Sequence, residues 1–368
     1  PTEGRIRVLK SRALPRRADS TAPPRFVFDP PADDVDTTNV AFEAPLTVEV
    51  IDPDAAKDSL SEVTVTVTTS DGATADVRCV ISGAYTAVPN QDAAEWALEE
   101  GRFIGQVIMQ LGSKTSPGVV PVTAEMPRNL IGGGKLDEDE EEGMSALDRG
   151  LVARVLNLTG KDRLEAVYKD ERRPDERVVD LSSFGRLISN GVLASVDRDY
   201  EKPIEKLHVG EKLFLVVTDA DRDSSDERDT ITVEITSKLG EKEEVPLVET
   251  LAHSGVFTGS LTLKSNPEPK PENLDVANPI LESYFGDQLT VKYVDPAASS
   301  EDGTLELTAE LPVVIGTDGL VSAFSKTFKN ETLAVETKFH IAESYFELFK
   351  SHKLSLIHIS EPTRQPCI

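Results

Sequence analysis

Two stretches of the chain alternate with period two. Val63-Thr64-Val65-Thr66-Val67-Thr68 and Ile231-Thr232-Val233-Glu234-Ile235-Thr236 place a β-branched apolar residue at every second position. Such side chains suit a pleated surface, and successive residues point to opposite faces. The pattern therefore predicts two half-buried antiparallel strands, with Val63, Val65, Val67 and Ile231, Val233, Ile235 turned inward. Each is preceded by an apolar run that ends in an acidic turn, Leu46-Thr47-Val48-Glu49-Val50-Ile51-Asp52-Pro53-Asp54 in one case and Leu213-Phe214-Leu215-Val216-Val217-Thr218-Asp219-Ala220-Asp221 in the other. Each is followed by a Gly-x-Phe-x-Gly corner, Gly101–Gly105 and Gly255–Gly259.

A second element recurs behind the first. Asp162–Asp170 and Asp287–Asp295 share the pattern D-x-L-x-x-x-Y-x-D, with Tyr168 and Tyr293 in phase with Leu164 and Leu289. Gly191-Val192-Leu193 and Gly319-Leu320-Val321 form a weaker third pair. Elements recurring in the same order predict two copies of one module. The class is mostly β: tandem Ig-like antiparallel β-sandwich modules, the first over 41–200 and the second over 201–326. Residues 1–40 are expected to be a linker or the end of a preceding module. This stretch begins with a basic arm: Arg5, Arg7, Lys10, Arg12, Arg16, Arg17 and Arg25. The first copy is longer, with a loop around Gly83–Trp96 and an acidic insertion near 132–143, where Gly132-Gly133-Gly134 precedes Asp137-Glu138-Asp139-Glu140-Glu141-Glu142. Like charges at that density repel, so the insertion reads as a disordered surface loop. Its glycine run lacks the Gly-Lys-Ser/Thr ending of a phosphate loop. After Thr327 the period changes. Val335, Phe339, Ala342, Phe346 and Phe349 fall at spacings of three and four, which predicts a C-terminal amphipathic helix over 327–353.

Composition narrows the function classes. Lys and Arg total 39 against 65 Asp and Glu, a formal net charge of −26. Such a surface repels phosphate backbones, so no nucleic-acid partner is expected. No run approaches the roughly 18 apolar residues of a membrane helix, so no span is expected either. Two cysteines, Cys79 and Cys367, cannot form a disulfide scaffold or a multi-cysteine zinc site. Cys79 reads as a small core residue. The histidines are scattered, and His208 and His253 have no counterparts in the other copy, so no Ser-His-Asp constellation recurs and the chain is read as not an enzyme.

The acidic turns carry the candidate chemistry. Asp219, Asp221 and Asp223 alternate, and Asp226 and Asp229 follow. Hard oxygen ligands at such spacing suit Ca²⁺, which takes six to eight oxygens. The spacing is not that of an EF-hand, because Ser224 stands where its glycine belongs and Thr230 where its glutamate belongs. The first copy offers a poorer set, Asp52, Asp54 and Asp58. The same turns also fit solvated loops whose aspartates cap backbone N–H groups. Tyr168 and Tyr293 fit either a carbohydrate platform or a core tyrosine with its hydroxyl bonded to backbone, and their phase with the leucines favours the core.

Taken together, the acidic turn, the Gly-x-Phe-x-Gly corner and the Tyr-x-Asp element resemble repeated β-sandwich modules of very large secreted or envelope proteins of environmental, planctomycete-like bacteria. The helix around Phe339–Phe349, with its small residue Ala342, resembles the first helix of a tetratricopeptide-type repeat. Leu354–Arg364 resembles the in-frame translation of a sequencing adapter, so residues 354–368 are expected to be a non-native tail. The resemblance implies a non-catalytic structural, scaffolding or adhesion segment outside the cytoplasm, with a protein or cell-surface partner. The other reading is a glycan- or protein-binding accessory module attached to an enzyme or receptor.

Overall fold

The structure, a computed structural model, describes residues 2–13, 26–29, 37–57, 62–82, 100–116, 118–121, 152–171, 173–265, 280–300 and 302–314. The Gly83–Trp96 loop, the insertion near 132–143, the helix over 327–353 and the tail over 354–368 lie outside these residues, as do Asp58 and Gly319–Val321.

The first copy contains β1 (Arg5–Ala13), β2 (Phe26–Asp29), β3 (Thr37–Ala41), β4 (Leu46–Ile51), α1 (Pro53–Lys57), β5 (Glu62–Thr69), β6 (Thr74–Ile81), β7 (Arg102–Leu111), β8 (Gly118–Pro121), β9 (Val152–Leu158), β10 (Arg163–Asp170) and β11 (Val179–Ile188). The second contains β12 (Val192–Val196), β13 (Leu207–His208), β14 (Lys212–Thr218), β15 (Thr230–Thr236), β16 (Lys242–Glu249), β17 (Val256–Ser265), β18 (Ile280–Ser283), β19 (Gln288–Asp295) and β20 (Leu305–Val314).

Strand order proves the duplication. The first sheet runs β2-β1-β4-β7-β6-β5-β10-β11-β3 and the second β12-β14-β17-β16-β15-β19-β20-β13. Both sheets are mixed, with the same two parallel pairs: β11 with β3 and β7 with β9 in the first, β20 with β13 and β17 with β18 in the second. Each sheet curls on itself into a sandwich-like unit around its own apolar cluster. In the first, the curl brings β1 against the far end of the sheet, where the Val8 N–H donates to Ser183 Oγ at 2.9 Å and Thr38 Oγ1 donates to the Val8 carbonyl at 3.1 Å.

The alternating strands behave as their period dictates. Val63, Val65 and Val67 on β5 and Ile231, Val233 and Ile235 on β15 are buried, while Thr64, Thr66 and Thr232 are exposed. Two boundaries differ from the sequence reading. Residues 5–13, expected in a linker or the end of a preceding module, form β1 and pair with β4. The second sheet starts at Val192, ahead of residue 201, because β12 pairs with β14. β1 and β12 are therefore equivalent first strands.

The Gly-x-Phe-x-Gly corner locks the acidic turn to the sheet. Gly101 and Gly255 take left-handed φ values of 65° and 61°. Their carbonyls accept the N–H of Asp52 at 2.7 Å and of Asp219 at 2.8 Å. A Cβ on Gly101 would overlap the Asp52 carbonyl, so a side chain is excluded by space as well as by φ. The phenylalanines that follow, Phe103 and Phe257, are fully buried.

Candidate functional site

Every fixed position of the D-x-L-x-x-x-Y-x-D element holds something. On β10 and β19 the leucines and tyrosines point inward. The Tyr168 hydroxyl donates to Asp52 Oδ2 at 2.6 Å, and the Tyr293 hydroxyl donates to Asp219 Oδ2 at 2.7 Å. The tyrosines thus bind the acidic turn itself, where sequence reading put a backbone partner. Their burial excludes a carbohydrate platform. Burial, with a carboxylate alongside, pushes both hydroxyls up. The last aspartate of each element takes the N–H of the glycine ahead of the first strand: Gly4 to Asp170 Oδ2 at 2.9 Å, Gly191 to Asp295 Oδ2 at 2.8 Å. The first aspartate gathers the neighbouring hairpin, with Asp71 N–H on Asp162 Oδ1 and Lys238 N–H on Asp287 Oδ1, both at 3.0 Å.

The acidic turn of the second module also holds the linker between modules. Ser189, directly after β11, donates its N–H to Asp221 Oδ2 at 2.9 Å and its hydroxyl to Asp219 Oδ1 at 3.0 Å. At the corresponding place before β1, Thr2 donates both its N–H and its hydroxyl to Asp54 Oδ2. Asp52 Oδ1 accepts the N–H groups of Asp54 and Ala55 and so caps α1.

The five aspartates of the second turn do not share one centre. Asp219 and Asp221 cluster with Asp295, and Asp223 and Asp229 cluster with Glu249; within each trio, ligand-capable atoms lie within 4.8 Å of one another. Asp226 is exposed and touches His253 Nε2 at 3.4 Å. Asp295 and Glu249 reach the turn from the ends of β19 and β16, remote in sequence. The Tyr-x-Asp repeat singles out Asp295. Nothing in the sequence singles out Glu249, and the first module has Ile81 at that register, facing Phe103 as Glu249 faces Phe257. Among the described residues, neither Asp52 nor Asp54 belongs to such a trio.

Burial sets the electrostatics. It pushes the Asp221 carboxyl up to about 7, and the neighbouring Asp219 adds to the shift. It pushes Asp223 up to about 6, against the pull of His253, whose Nδ1 lies 3.1 Å from Asp223 Oδ2. Asp219 is raised by burial as well, opposed by the Tyr293 hydroxyl. Asp54, by contrast, is held below the usual carboxylate range by the Thr2 N–H. Elsewhere, His208 pairs with Glu211 at the surface, at 3.0 Å. Cys79 is fully buried, which pushes its thiol up.

A cleft of about 260 Å³ opens where the modules meet. Lys161 and Arg186 line it from the first module, and Asp221, Arg222 and Asp229 from the second. Gly160 lines it too, and its N–H donates to the Asp223 carbonyl.

No protein family and no curated protein matches the chain. Among solved structures, a mutant of Salmonella alpha-2-macroglobulin is similar at 13% identity and a TM-score of 0.17, covering 83% of this chain and 18% of its own. The chain thus spans about a fifth of that structure. Among the described residues, no helix is long and apolar enough to cross a membrane.

Proposed function

We propose that the chain is a non-catalytic structural segment: a spacer or scaffold within a large protein outside the cytoplasm, engaging a protein or cell-surface partner. One observation carries this reading. The segment leading into each module is tied by a glycine N–H to the last aspartate of the tyrosine strand, and the tyrosine of that strand holds the first aspartate of the acidic turn. Between the modules, Ser189 and Gly191 are held by three buried carboxylates. A linker held this way gives up its conformational freedom, and a fixed angle between modules is what a spacer requires.

Spin labels at Thr64→Cys and Glu244→Cys, with Cys367 replaced by serine, test this by pulsed dipolar spectroscopy. A single narrow distance distribution is expected. A broad one, as for freely jointed modules, overturns the reading. The accessory-module alternative draws on the cleft, where Lys161, Arg186 and Arg222 offer cations to an anionic glycan or peptide. In that case an anionic glycan would shift the measured distance.

A further inference from the structure

We propose that Asp223, Asp229 and Glu249 form a site for one hard divalent cation, for which calcium is the best fit, and that Asp219, Asp221 and Asp295 do not. The proposal does not depend on the spacer reading. Geometry is the first support. Oxygens bound to one calcium ion at about 2.4 Å are at most about 4.8 Å apart, and the three residues bring ligand-capable oxygens within 4.8 Å of one another.

The second support is an orphaned atom. Asp223 is fully buried, and its Oδ1 has no hydrogen-bond partner. A buried carboxylate oxygen left without a donor is costly, and a cation beside it removes the penalty. The third is charge. Glu249 is fully buried too, and among the described residues no Lys or Arg forms an ion pair with any of the three; only His253 faces Asp223. Three carboxylates in one place without a counter-cation repel one another.

Their orientation is already fixed. Asp229 Oδ2 accepts the N–H groups of Ser224 at 2.7 Å and Ser225 at 3.0 Å, and Glu249 Oε1 accepts those of Ser254 and Gly255, both at 2.8 Å. These donors hold both carboxylates at the turn beside Asp223. The other trio differs. None of its carboxylate oxygens is among the buried atoms left without a hydrogen-bond partner, as Asp223 Oδ1 is: Tyr293 and Ser189 donate to Asp219, and Gly191 and Ala297 to Asp295. That trio is satisfied as a clamp. An all-oxygen set from a turn and a strand end also suits calcium's flexible shell better than the strict octahedron of magnesium.

The test uses the full chain and CaCl2 alone, by calorimetric titration and thermal unfolding. One site is expected, with Kd of about 10⁻⁴ M, and a Tm about 5 °C higher in about 5 mM calcium than in chelator. Glu249→Gln should abolish both effects, and Asp226→Asn, which alters only the exposed neighbour, should keep them. If Glu249→Gln does not fold, Asp223→Asn takes its place and should abolish both effects. No binding heat together with equal melting temperatures overturns the proposal. So does calcium binding that survives in Asp223→Asn but is lost in Asp221→Asn, because the ion would then sit in the other trio.

Discussion

Asp219 sits between the two tasks of the acidic turn, since Tyr293 and Ser189 each donate to one of its oxygens. Tyr293→Phe removes one donor and leaves Asp219 Oδ2 buried without a partner. A loss of about 1–3 kcal/mol is expected in urea denaturation, and Tyr168→Phe should act likewise on the first module through Asp52. Asp221 supplies a pH signature. Its folded value of about 7 lies above its ordinary 3.8, so the folded state favours the protonated carboxyl. The stabilisation is complete below pH 3.8 and is lost as pH rises through about 7. In chelator, the second module should therefore melt higher near pH 5 than near pH 8. Asp221→Asn, which keeps an oxygen for the Ser189 N–H, should reduce that slope to the part that Asp223, raised to about 6, contributes; an unchanged slope would contradict the assignment. The aspartates were legible in the sequence as one acidic turn. Their division into two trios was not, because it depends on Asp295 and Glu249, which only strand pairing brings to the turn.

At the level of elements, the Gly-x-Phe-x-Gly corner joins two strands to the turn. Gly101→Ala must adopt a left-handed φ and also push against the Asp52 carbonyl, so a loss of at least about 2 kcal/mol is expected. Gly72, in the β5–β6 hairpin, is the control: its φ is +96°, but nothing lies within 4 Å of a Cβ there. Gly72→Ala should cost about 1 kcal/mol, from the backbone alone. Equal losses in the two variants would show that the close approach contributes nothing. The corner and the alternating strands were readable because period two states burial directly, and because each motif recurs with its partner motifs. β1 was misread for an equally physical reason. Arg5, Arg7 and Lys10 alternate with Ile6, Val8 and Leu9, and the charge count hid a strand whose basic residues share a sheet with Glu49. The parallel pairs, such as β7 with β9, leave no local mark, since they join segments separated by long connections.

Across the whole molecule, the question is what fixes one module against the other. Both modules have their own core, so either could fold while the pair flexes. Two things oppose that: the carboxylate clamp on Ser189 and Gly191, and the turn at Gly160, which packs against the backbone of Asp221 and donates to the Asp223 carbonyl. Gly160 has no room for a Cβ, which would overlap the Asp221 carbonyl. The equivalent position in the second module is Phe285, exposed by 64%, so the close approach belongs to this junction and not to the module as such. Gly160→Leu should therefore separate the two effects. Each module keeps its core and its own clamp, so unfolding free energies should stay within about 0.5 kcal/mol of wild type. The junction loses its contact, so the inter-module distance distribution should broaden and the radius of gyration from small-angle scattering should rise. If Gly160→Leu keeps the narrow distribution, the clamp alone sets the angle; Ser189→Ala, which strips the hydroxyl from Asp219, would then be the variant that loosens it.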